Sequence, residues 1–331
     1  MEHKTIRFGI IGTNAITHRF LSGAKEVKEF ELTAVYSRSL DKAKEFSEKY
    51  GVKNTFTNLE EMAKSDLIDA VYIASPNALH SSQAILFLNH KKNVLSEKAF
   101  ASNGKEAKEM IEAAKNNGVL LMEAMKTTIL PNFKVIKENL HKIGKVRRYF
   151  GSYCQYSSRY DKYKEGIVLN AFNPELSNGA LMDIGVYCIY PMVALFGKPK
   201  EVKANALMLD SGVDGEGSAL FKYEDMDGVV MYSKICDSYL PSEIQGESGS
   251  IIIEKINSFN SIKIKYKNGK EEDISLQQHD EDMCYELQEF IDLIKEEKTE
   301  SEINTFDTSL SVMEIMDEVR RQIGLVFPAD K

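Results

Sequence analysis

The 331-residue sequence has few cysteines, no block of like charge and no long uncharged apolar segment. The four cysteines are scattered, with no C-x-x-C pair and no histidine cluster nearby, which argues against a zinc site and a disulfide framework and predicts a reducing cytoplasm. The net charge of −8 makes nucleic acid or an anionic membrane an unfavourable partner. No apolar stretch of about 18 residues is free of charge, so we expect no membrane span. We expect no secretory leader either, because no signal-peptide core precedes the first apolar run.

What remains is an ordinary globular composition, with 43% apolar and 28% charged residues. A chain of this length holds two domains with a core each. We place a dinucleotide-binding domain at residues 1–123 and a second domain at residues 124–331, with the last helices able to pack back onto the first domain. A small or neutral substrate suits the charge better than a polyanion does.

The stretch from Thr5 to Arg38 organises the first half. An apolar run of strand formers stops at Gly12-Thr13-Asn14, and a helical pattern opens at Ala15-Ile16. A second apolar run, Phe30 to Tyr36, follows at the distance typical of a βαβ unit and ends at Ser37-Arg38. Such a turn directs backbone N–H groups and the positive helix end toward a phosphate, which predicts a dinucleotide site.

Taken alone, this turn leaves two interpretations open. The fingerprint G-x-G-x-x-G retains only its first glycine, Gly12, while Asn14 and Thr17 occupy the other two positions. Asparagine tolerates left-handed backbone and threonine is small, so the turn can still form. The alternative is an ordinary buried strand and turn.

Six short apolar runs alternate with helical patterns up to residue 122, which predicts a parallel, doubly wound α/β sheet. Ligands bind at the carboxyl ends of such strands. Besides Gly12, the residues at those ends are Ser37-Arg38, Ser75-Pro76-Asn77, Glu97-Lys98 and Glu123-Ala124.

Arg38 and Lys98 are the most informative of these residues. NAD sites usually place an acid after the second strand, but Arg38 stands there and the first acid is Asp41, so we predict NADP, with NAD as the alternative. Lys98 follows the strand where the nicotinamide end would lie and can bond a substrate oxygen. The alternative is an exposed loop lysine. His80 is assigned a supporting role beside the cofactor.

The second half changes pattern at Gly144, where short strands separated by turns predict an antiparallel sheet. Two amphipathic helices close the chain. Between these elements, the helical segment from Gly179 to Phe196 is nearly all apolar except for Asp183. A buried carboxylate needs a partner or a polar ligand, and a glycine inside the helix, Gly185, indicates a close approach to its backbone. Asp183 and Tyr187 share one helix face. The alternative is a core helix with Asp183 as its cap.

These residues together resemble the Gfo/Idh/MocA oxidoreductase family over essentially the whole chain. The segments that carry the resemblance are Ser75-Pro76-Asn77 with His80, Asn93 to Lys98, Glu123-Ala124-Met125, Ile143 to Val146, Gly179 to Tyr187 and Gly324 to Pro328. The helix motif ends in Tyr187, where inositol dehydrogenase has histidine. In this respect the sequence resembles the branch of dimeric dihydrodiol dehydrogenase and NADP-dependent D-xylose dehydrogenase. Ala99 replaces the proline of the family's Glu-Lys-Pro, and Lys126 and Thr128 replace its aromatic residue and arginine.

The resemblance implies an N-terminal Rossmann domain and a C-terminal α+β domain with an open, mainly antiparallel sheet. It implies hydride transfer between NADP and a hydroxyl-bearing carbon of a sugar, polyol or cyclic diol, with Lys98 and Tyr187 handling the hydroxyl proton and no metal. Asp183 would orient a sugar hydroxyl or hold the lysine, and Lys126 and Arg159 are further substrate candidates. The cofactor set comprises Gly12, Thr13, Asn14, Ile16, Ser37, Arg38, Ser75, Asn77, His80, Glu97 and Lys98.

Two other functions stay open. One is a redox-neutral enzyme that processes glycosides with a tightly held nicotinamide, and the other is a non-catalytic NADP-binding sensor that acts on a protein partner. The joint presence of Lys98, Asp183 and Tyr187 argues against the sensor, which needs no proton-handling groups. We also expect a homodimer through the open sheet, since an exposed sheet face normally needs covering.

Overall fold

The computed structural model describes residues 5–331, which form two compact units. Unit 1 comprises the described residues up to Lys126 together with His279–Phe306. Unit 2 comprises Thr127–Gln278 and Asp307–Lys331.

The bounds of the elements follow in chain order. The strands are β1 (Ile6–Ile11), β2 (Phe30–Tyr36), β3 (Asn54–Phe56), β4 (Ala70–Ile73), β5 (Asn93–Glu97), β6 (Leu121–Ala124), β7 (Val146–Cys154), β8 (Glu201–Met208), β9 (Asp214–Lys222), β10 (Asp227–Ser233), β11 (Ser242–Gly246), β12 (Gly249–Ile253), β13 (Ile262–Tyr266) and β14 (Glu271–Asp273). The helices are α1 (Ala15–Ala24), α2 (Leu40–Tyr50), α3 (Leu59–Lys64), α4 (His80–Asn89), α5 (Gly104–Asn117), α6 (Lys126–Ile129), α7 (Pro131–Asn139), α8 (Tyr160–Lys164), α9 (Val186–Phe196), α10 (Met283–Lys295) and α11 (Phe306–Ile323).

Unit 1 is a doubly wound parallel sheet, as the alternation of apolar runs predicts. Its strand order is β3-β2-β1-β4-β5-β6, and every pairing is parallel. The order reverses between β1 and β4, and in such sheets the crevice at the reversal point binds the ligand. The fold of this unit therefore places the predicted dinucleotide turn, which follows β1, at that crevice.

The core of unit 1 explains why the chain returns to it near its end. Phe20 of α1 stacks on Tyr72 of β4 with ring centroids 3.8 Å apart. Leu287 and Phe290 of α10 are fully buried in the same apolar cluster. The predicted boundary lies after residue 123, with the last helices able to pack back onto the first domain, and residues 279–306 belong to unit 1 in the structure.

Unit 2 contains an eight-stranded sheet in the order β14-β13-β12-β11-β7-β10-β9-β8. Its neighbours pair antiparallel except β7 and β10, which are parallel, so the prediction of a mainly antiparallel sheet is confirmed. The strands β11 and β14 were not predicted. β11, Ser-Glu-Ile-Gln-Gly, has too few apolar residues to be recognised from the sequence.

The apolar segment Pro174–Phe196 lies in unit 2. By length and composition alone this segment could cross a membrane, but 72% of its apolar window is buried inside the protein. That burial is typical of a core helix. Gly185 lies against the ring of Tyr232 on β10, where an added Cβ would come within 3.0 Å of the ring. The close approach predicted at Gly185 is therefore made by an aromatic side chain.

Candidate active site

The turn after β1 has the backbone shape that a phosphate site needs. Gly12 has φ +102°, and a Cβ there would lie 2.5 Å from the carbonyl oxygen of Ala74. Asn14 caps α1 by accepting from the backbone N–H groups of Ile16 and Thr17, and its Nδ2 donates to Ala74 O at 2.8 Å. Thr17 Oγ1 donates to Gly12 O at 2.9 Å. These bonds hold the ends of β1 and β4 together, and the turn lines a cleft.

This cleft in unit 1 has a volume of about 350 Å³ and is the feature in which the cofactor prediction can be tested. Six predicted cofactor residues line it, namely Gly12, Thr13, Asn14, Ser37, Arg38 and Ser75. Lys42 and Gln83 also line it and were not predicted; Gln83 accepts from Ser75 Oγ at 2.8 Å. Lys42 lies in the first turn of α2, four residues after Arg38. A second cation at this spacing is the sequence signal that could have identified Lys42 as a cleft residue.

Two cations therefore border the cleft at its α2 side. Ser39 caps α2 by accepting from the backbone N–H of Lys42, and Ser37 accepts from the backbone N–H of Ser39. Hydroxyls, an arginine and a lysine form the donor set that a phosphate dianion needs. Asp41, which could have bonded a ribose hydroxyl instead, is not among the described residues that line the cleft.

His80 is assigned a supporting role beside the cofactor, and its contacts are with two loops of unit 1. The side chain is fully buried, with Nε2 2.8 Å from Ser75 O and Nδ1 2.9 Å from Ala99 O. Burial lowers the pKa of His80, and the two carbonyl contacts act in the opposite direction. His80 thus joins the loop after β4 to the loop after β5, and its ring does not line the cleft.

Glu97 is likewise a buried support. It accepts from Tyr72 Oη at 2.5 Å and from the backbone N–H of Lys98 at 3.3 Å. Burial raises its pKa, while the bond from Tyr72 and the charge of Lys98 lower it. The carboxyl group therefore faces the loop that carries Lys98, which itself is partly exposed and begins a cis peptide bond to Ala99. Ile16 and Asn77, the other predicted cofactor residues, do not line the cleft.

Lys126 does not suit the predicted substrate role. Only 8% of its side chain is exposed, and its ammonium group pairs with Asp282. Asp282 also accepts from Arg19 at 2.8 Å. The lysine is therefore a buried partner within unit 1, because its charge is needed to compensate a buried acid.

In unit 2, Asp183 and Tyr187 stand apart from their neighbours. Between residues 179 and 193, these two side chains are partly exposed and all the others are buried. Asp183 lies in a π-helical turn, Leu181–Gly185, which leads into α9, and Tyr187 follows in the first turn of α9. The ring of Tyr187 meets Tyr153 edge-on at 5.7 Å. The polar face predicted from the sequence is present.

The partner of Asp183 is a residue that the sequence analysis missed. Its carboxylate pairs with Lys234, directly after β10, and only 7% of that lysine side chain is exposed. A lysine at a strand end carries no signal of its own, so only the fold identifies it. Arg159 is exposed and precedes α8, and no hydrogen bond or ion pair of its side chain occurs within residues 5–331.

The same chain matches known proteins over nearly its full length. Residues 6–125 match the "oxidoreductase family, NAD-binding Rossmann fold", and residues 138–252 match the GFO/IDH/MocA C-terminal domain. The chain is 60% identical over 326 residues to scyllo-inositol 2-dehydrogenase (NADP(+)) IolU from Bacillus subtilis, covering 98% of this chain and 99% of the relative. It is 30% identical to trans-1,2-dihydrobenzene-1,2-diol dehydrogenase from Danio rerio, covering 98% and 99%.

Among solved structures, KijD10, a 3-ketoreductase from Actinomadura kijaniata in complex with NADP and TDP-benzene, superimposes with a TM-score of 0.84. The sequence identity is 23%, and the match covers 97% of this chain and 98% of that chain. That likeness concerns the fold. The two domain matches and the full-length relatives show that this chain belongs to the Gfo/Idh/MocA family of nicotinamide-dependent oxidoreductases.

Proposed function

We propose that this enzyme is an NADP-dependent dehydrogenase that oxidises a CH–OH group of a cyclic polyol of the inositol class. The relative IolU, 60% identical over 98% of this chain, acts on scyllo-inositol with NADP(+) by its name. The observation that carries the cofactor choice is the cleft of unit 1, in which Arg38 and Lys42 occupy the side where an NAD site has an acid. A cyclic diol, the substrate of the more distant relatives, is the nearest alternative.

The cleft fits NADP on its own residues. Gly12 allows the turn to pass close to the backbone of Ala74, where a Cβ would clash, and the backbone N–H groups of the turn lie at the N-terminus of α1. Arg38, Lys42 and the hydroxyls of Ser37 and Ser39 would hold the 2′-phosphate. When bound, the nicotinamide supplies the acceptor for a hydride.

Three side chains are assigned to the substrate. From the family resemblance, we assign Lys98 and Tyr187 to the proton that leaves the substrate hydroxyl. A tyrosine has an ordinary pKa of about 10, and a cation beside a phenol favours the phenolate, so a lysine makes tyrosine a usable base near neutrality. Asp183 accepts a hydrogen bond from a neighbouring hydroxyl. Lys234 pairs with the same carboxylate.

A cofactor and substrate panel tests the function. Wild type, Lys98→Ala and the exposed control Lys105→Ala are assayed by nicotinamide absorbance with NADP⁺ and NAD⁺ against inositols, aldoses and cyclic diols. We expect turnover of an inositol with NADP⁺ in wild type and control, and a loss of at least 100-fold in Lys98→Ala, because general acid–base groups contribute about 10² to 10⁴ in rate. NADP(H) binding without turnover of any substrate in either direction would refute the dehydrogenase.

We also propose that the enzyme works as a homodimer through the outer face of the sheet in unit 2. On that face, Leu207 and Leu220 are 50% and 57% exposed, beside the partly exposed Val229 and Met231 of β10. An apolar face of this kind is stabilised when a second copy covers it. Light scattering on wild type and Leu220→Glu tests this: the wild type should have the mass of a dimer and the variant that of a monomer.

The four free cysteines fit a reducing cytoplasm, which we propose as the location.

A further inference from the structure

Lys234 is a buried lysine whose position is fixed at both ends. Its backbone N–H donates to Gly215 O at 2.9 Å, and its carbonyl oxygen accepts from the N–H of Ser157 at 2.9 Å. At the other end, its ammonium group pairs with Asp183. Buried lysines are rare unless they are paired, so this ion pair accounts for the burial.

A second acid, Asp214, interacts with the same lysine. Asp214 is fully buried on β9, and its Oδ2 accepts from the backbone N–H of Leu181 at 2.7 Å. Burial raises the pKa of Asp214 to about 6, and the charge of Lys234 acts in the opposite direction. One acid therefore anchors the start of the π-helical turn Leu181–Gly185 and the other projects from it, with Lys234 acting on both.

The strand that ends at Lys234 also packs against this turn. Tyr232, two residues earlier, places its ring against Gly185, where no Cβ could be added without a contact of 3.0 Å. Strand β10 and the turn are in van der Waals contact, and this contact fixes the distance between Lys234 and the turn. A substitution at Lys234 can change the charge at Asp183 while the packing of Tyr232 on Gly185 stays in place.

We propose that Lys234 is a positioning residue for the reaction, which keeps Asp183 ionised and oriented to accept a hydrogen bond from a substrate hydroxyl. This inference rests on the proposed function, since it assigns Asp183 to the substrate. The physical reason is that a carboxylate loses its charge on burial unless a cation compensates it. An ionised acceptor binds a hydroxyl more strongly than a neutral one. With 29% of its side chain exposed, Asp183 remains accessible to a ligand.

Several titratable or charged groups lie on the elements packed against this turn. They are Arg147, Arg148, Tyr149, Tyr153 and Cys154 of β7, Tyr187, Cys188 and Tyr190 of α9, Asp214, Glu216 and Lys222 of β9, and Asp227 and Tyr232 of β10. Burial raises the pKa values of Tyr149, Cys188 and Tyr232 well above their ordinary range, so these three stay neutral near pH 7. Asp214 is the fully buried acid among these groups, so its titration must be separated from that of Asp183.

The variants Lys234→Met and Lys234→Arg test the role, with Lys200→Met as a control that removes an exposed ion pair with Glu224. In Lys234→Met, Asp183 loses its ion pair with Lys234, so we expect KM for the polyol to rise roughly 10- to 100-fold, as for the loss of a charged hydrogen bond. The acid limb of kcat/KM should move to higher pH. Lys234→Arg restores the charge, so its KM and the position of its acid limb should both be close to the wild-type values. NADP(H) affinity should be unchanged in all variants.

The substitution Asp214→Asn, made in both wild type and Lys234→Met, shows which acid causes the shift of the acid limb of kcat/KM. A shift that persists without Asp214 belongs to Asp183. An unchanged KM and pH profile in a folded Lys234→Met variant would overturn the inference.

A readout that is independent of turnover separates this inference from the proposed function. The carboxyl carbon of Asp183, followed by NMR as the pH is varied, should titrate at higher pH in Lys234→Met than in wild type. If Lys234→Met does not fold, Lys234→Gln replaces it in the same titration. If the substrate panel fails but this shift is present, the ion-pair role of Lys234 stands and the substrate assignment is wrong. If the shift is absent, the inference fails whatever the panel gives.

Discussion

Removing Arg38 should weaken NADP binding and leave NAD binding almost unchanged. The 2′-phosphate carries between one and two negative charges at pH 7, and Arg38 lines the cleft beside Lys42. A hydrogen bond to a charged group contributes about 1.5 to 3 kcal/mol. Taking about 2 kcal/mol for Arg38→Ala predicts a roughly 30-fold higher Kd for NADPH.

Lys42 should contribute less than Arg38. Its ammonium is a point charge on a flexible stem and lacks the planar fork that binds two phosphate oxygens at once. Lys42→Ala should therefore raise the NADPH Kd by only about 5-fold, and the double variant by roughly 100-fold or more. NADH has no phosphate at this position, so its Kd should change by less than about 3-fold in every variant.

Fluorescence titration with NADPH and NADH measures these values directly. Lys44→Ala is the matched control, because Lys44 is exposed on the same helix, α2, and does not line the cleft. Raising the salt concentration should weaken NADPH binding in wild type and have little effect in the double variant. Equal losses for NADPH and NADH in Arg38→Ala would refute the assignment, since they would place Arg38 on a part of the cofactor that both molecules share.

Three further changes test the structure itself. Gly12→Ala should cost about 3 kcal/mol of unfolding free energy and abolish cofactor binding, whereas Gly51→Ala, with positive φ but no atom within 4 Å, should cost about 1 kcal/mol by thermal unfolding. Burial raises the pKa of Asp214 to about 6, so its protonated form stabilises the fold fully below about pH 4, and this stabilisation is lost as the pH rises to 6. The free energy of unfolding in urea should therefore fall by about 3 kcal/mol over this pH range in wild type and not in Asp214→Asn. Equal pH slopes in the two proteins would contradict the assignment. Arg320, with 4% of its side chain exposed, pairs with Asp317 and Asp330, so Arg320→Met removes a buried cation from two acids and should cost about 3 kcal/mol. The exposed Arg321→Met should cost less than about 1 kcal/mol, and equal losses would show that burial does not matter here.

The local part of this fold was predictable from the sequence. The apolar runs that became β1 to β6 are short, rich in strand formers and separated by helical patterns, so each carries its own signal. Asp183 could be singled out because one acid in a long apolar segment demands a partner. The cleft residue Arg38 was predictable since it occupies a fixed place after the second strand.

The remainder depends on contacts between distant parts of the chain. The parallel pairing of β7 with β10 joins strands about 80 residues apart, as in Asp227 with Arg148, and periodicity does not report such pairings. The last helices were expected to be able to pack back onto the first domain, but the buried contacts of α10 in the core of unit 1 are again with distant parts of the chain. Lys234 and Lys126 show the effect on the site: both are buried lysines paired with acids far away in sequence, and neither partner can be identified from spacing.

His80 has a consequence for how two loops of unit 1 are connected. Both of its ring nitrogens lie against carbonyl oxygens, Nε2 against Ser75 O and Nδ1 against Ala99 O. A neutral imidazole carries one N–H, and burial favours the neutral form by lowering the pKa of His80. The ring can then donate to only one of the two loops at a time. A change of tautomer moves that single hydrogen bond between the loop that lines the cofactor cleft and the loop that carries Lys98. The protonated ring nitrogen therefore determines which of the two loops is hydrogen-bonded to His80.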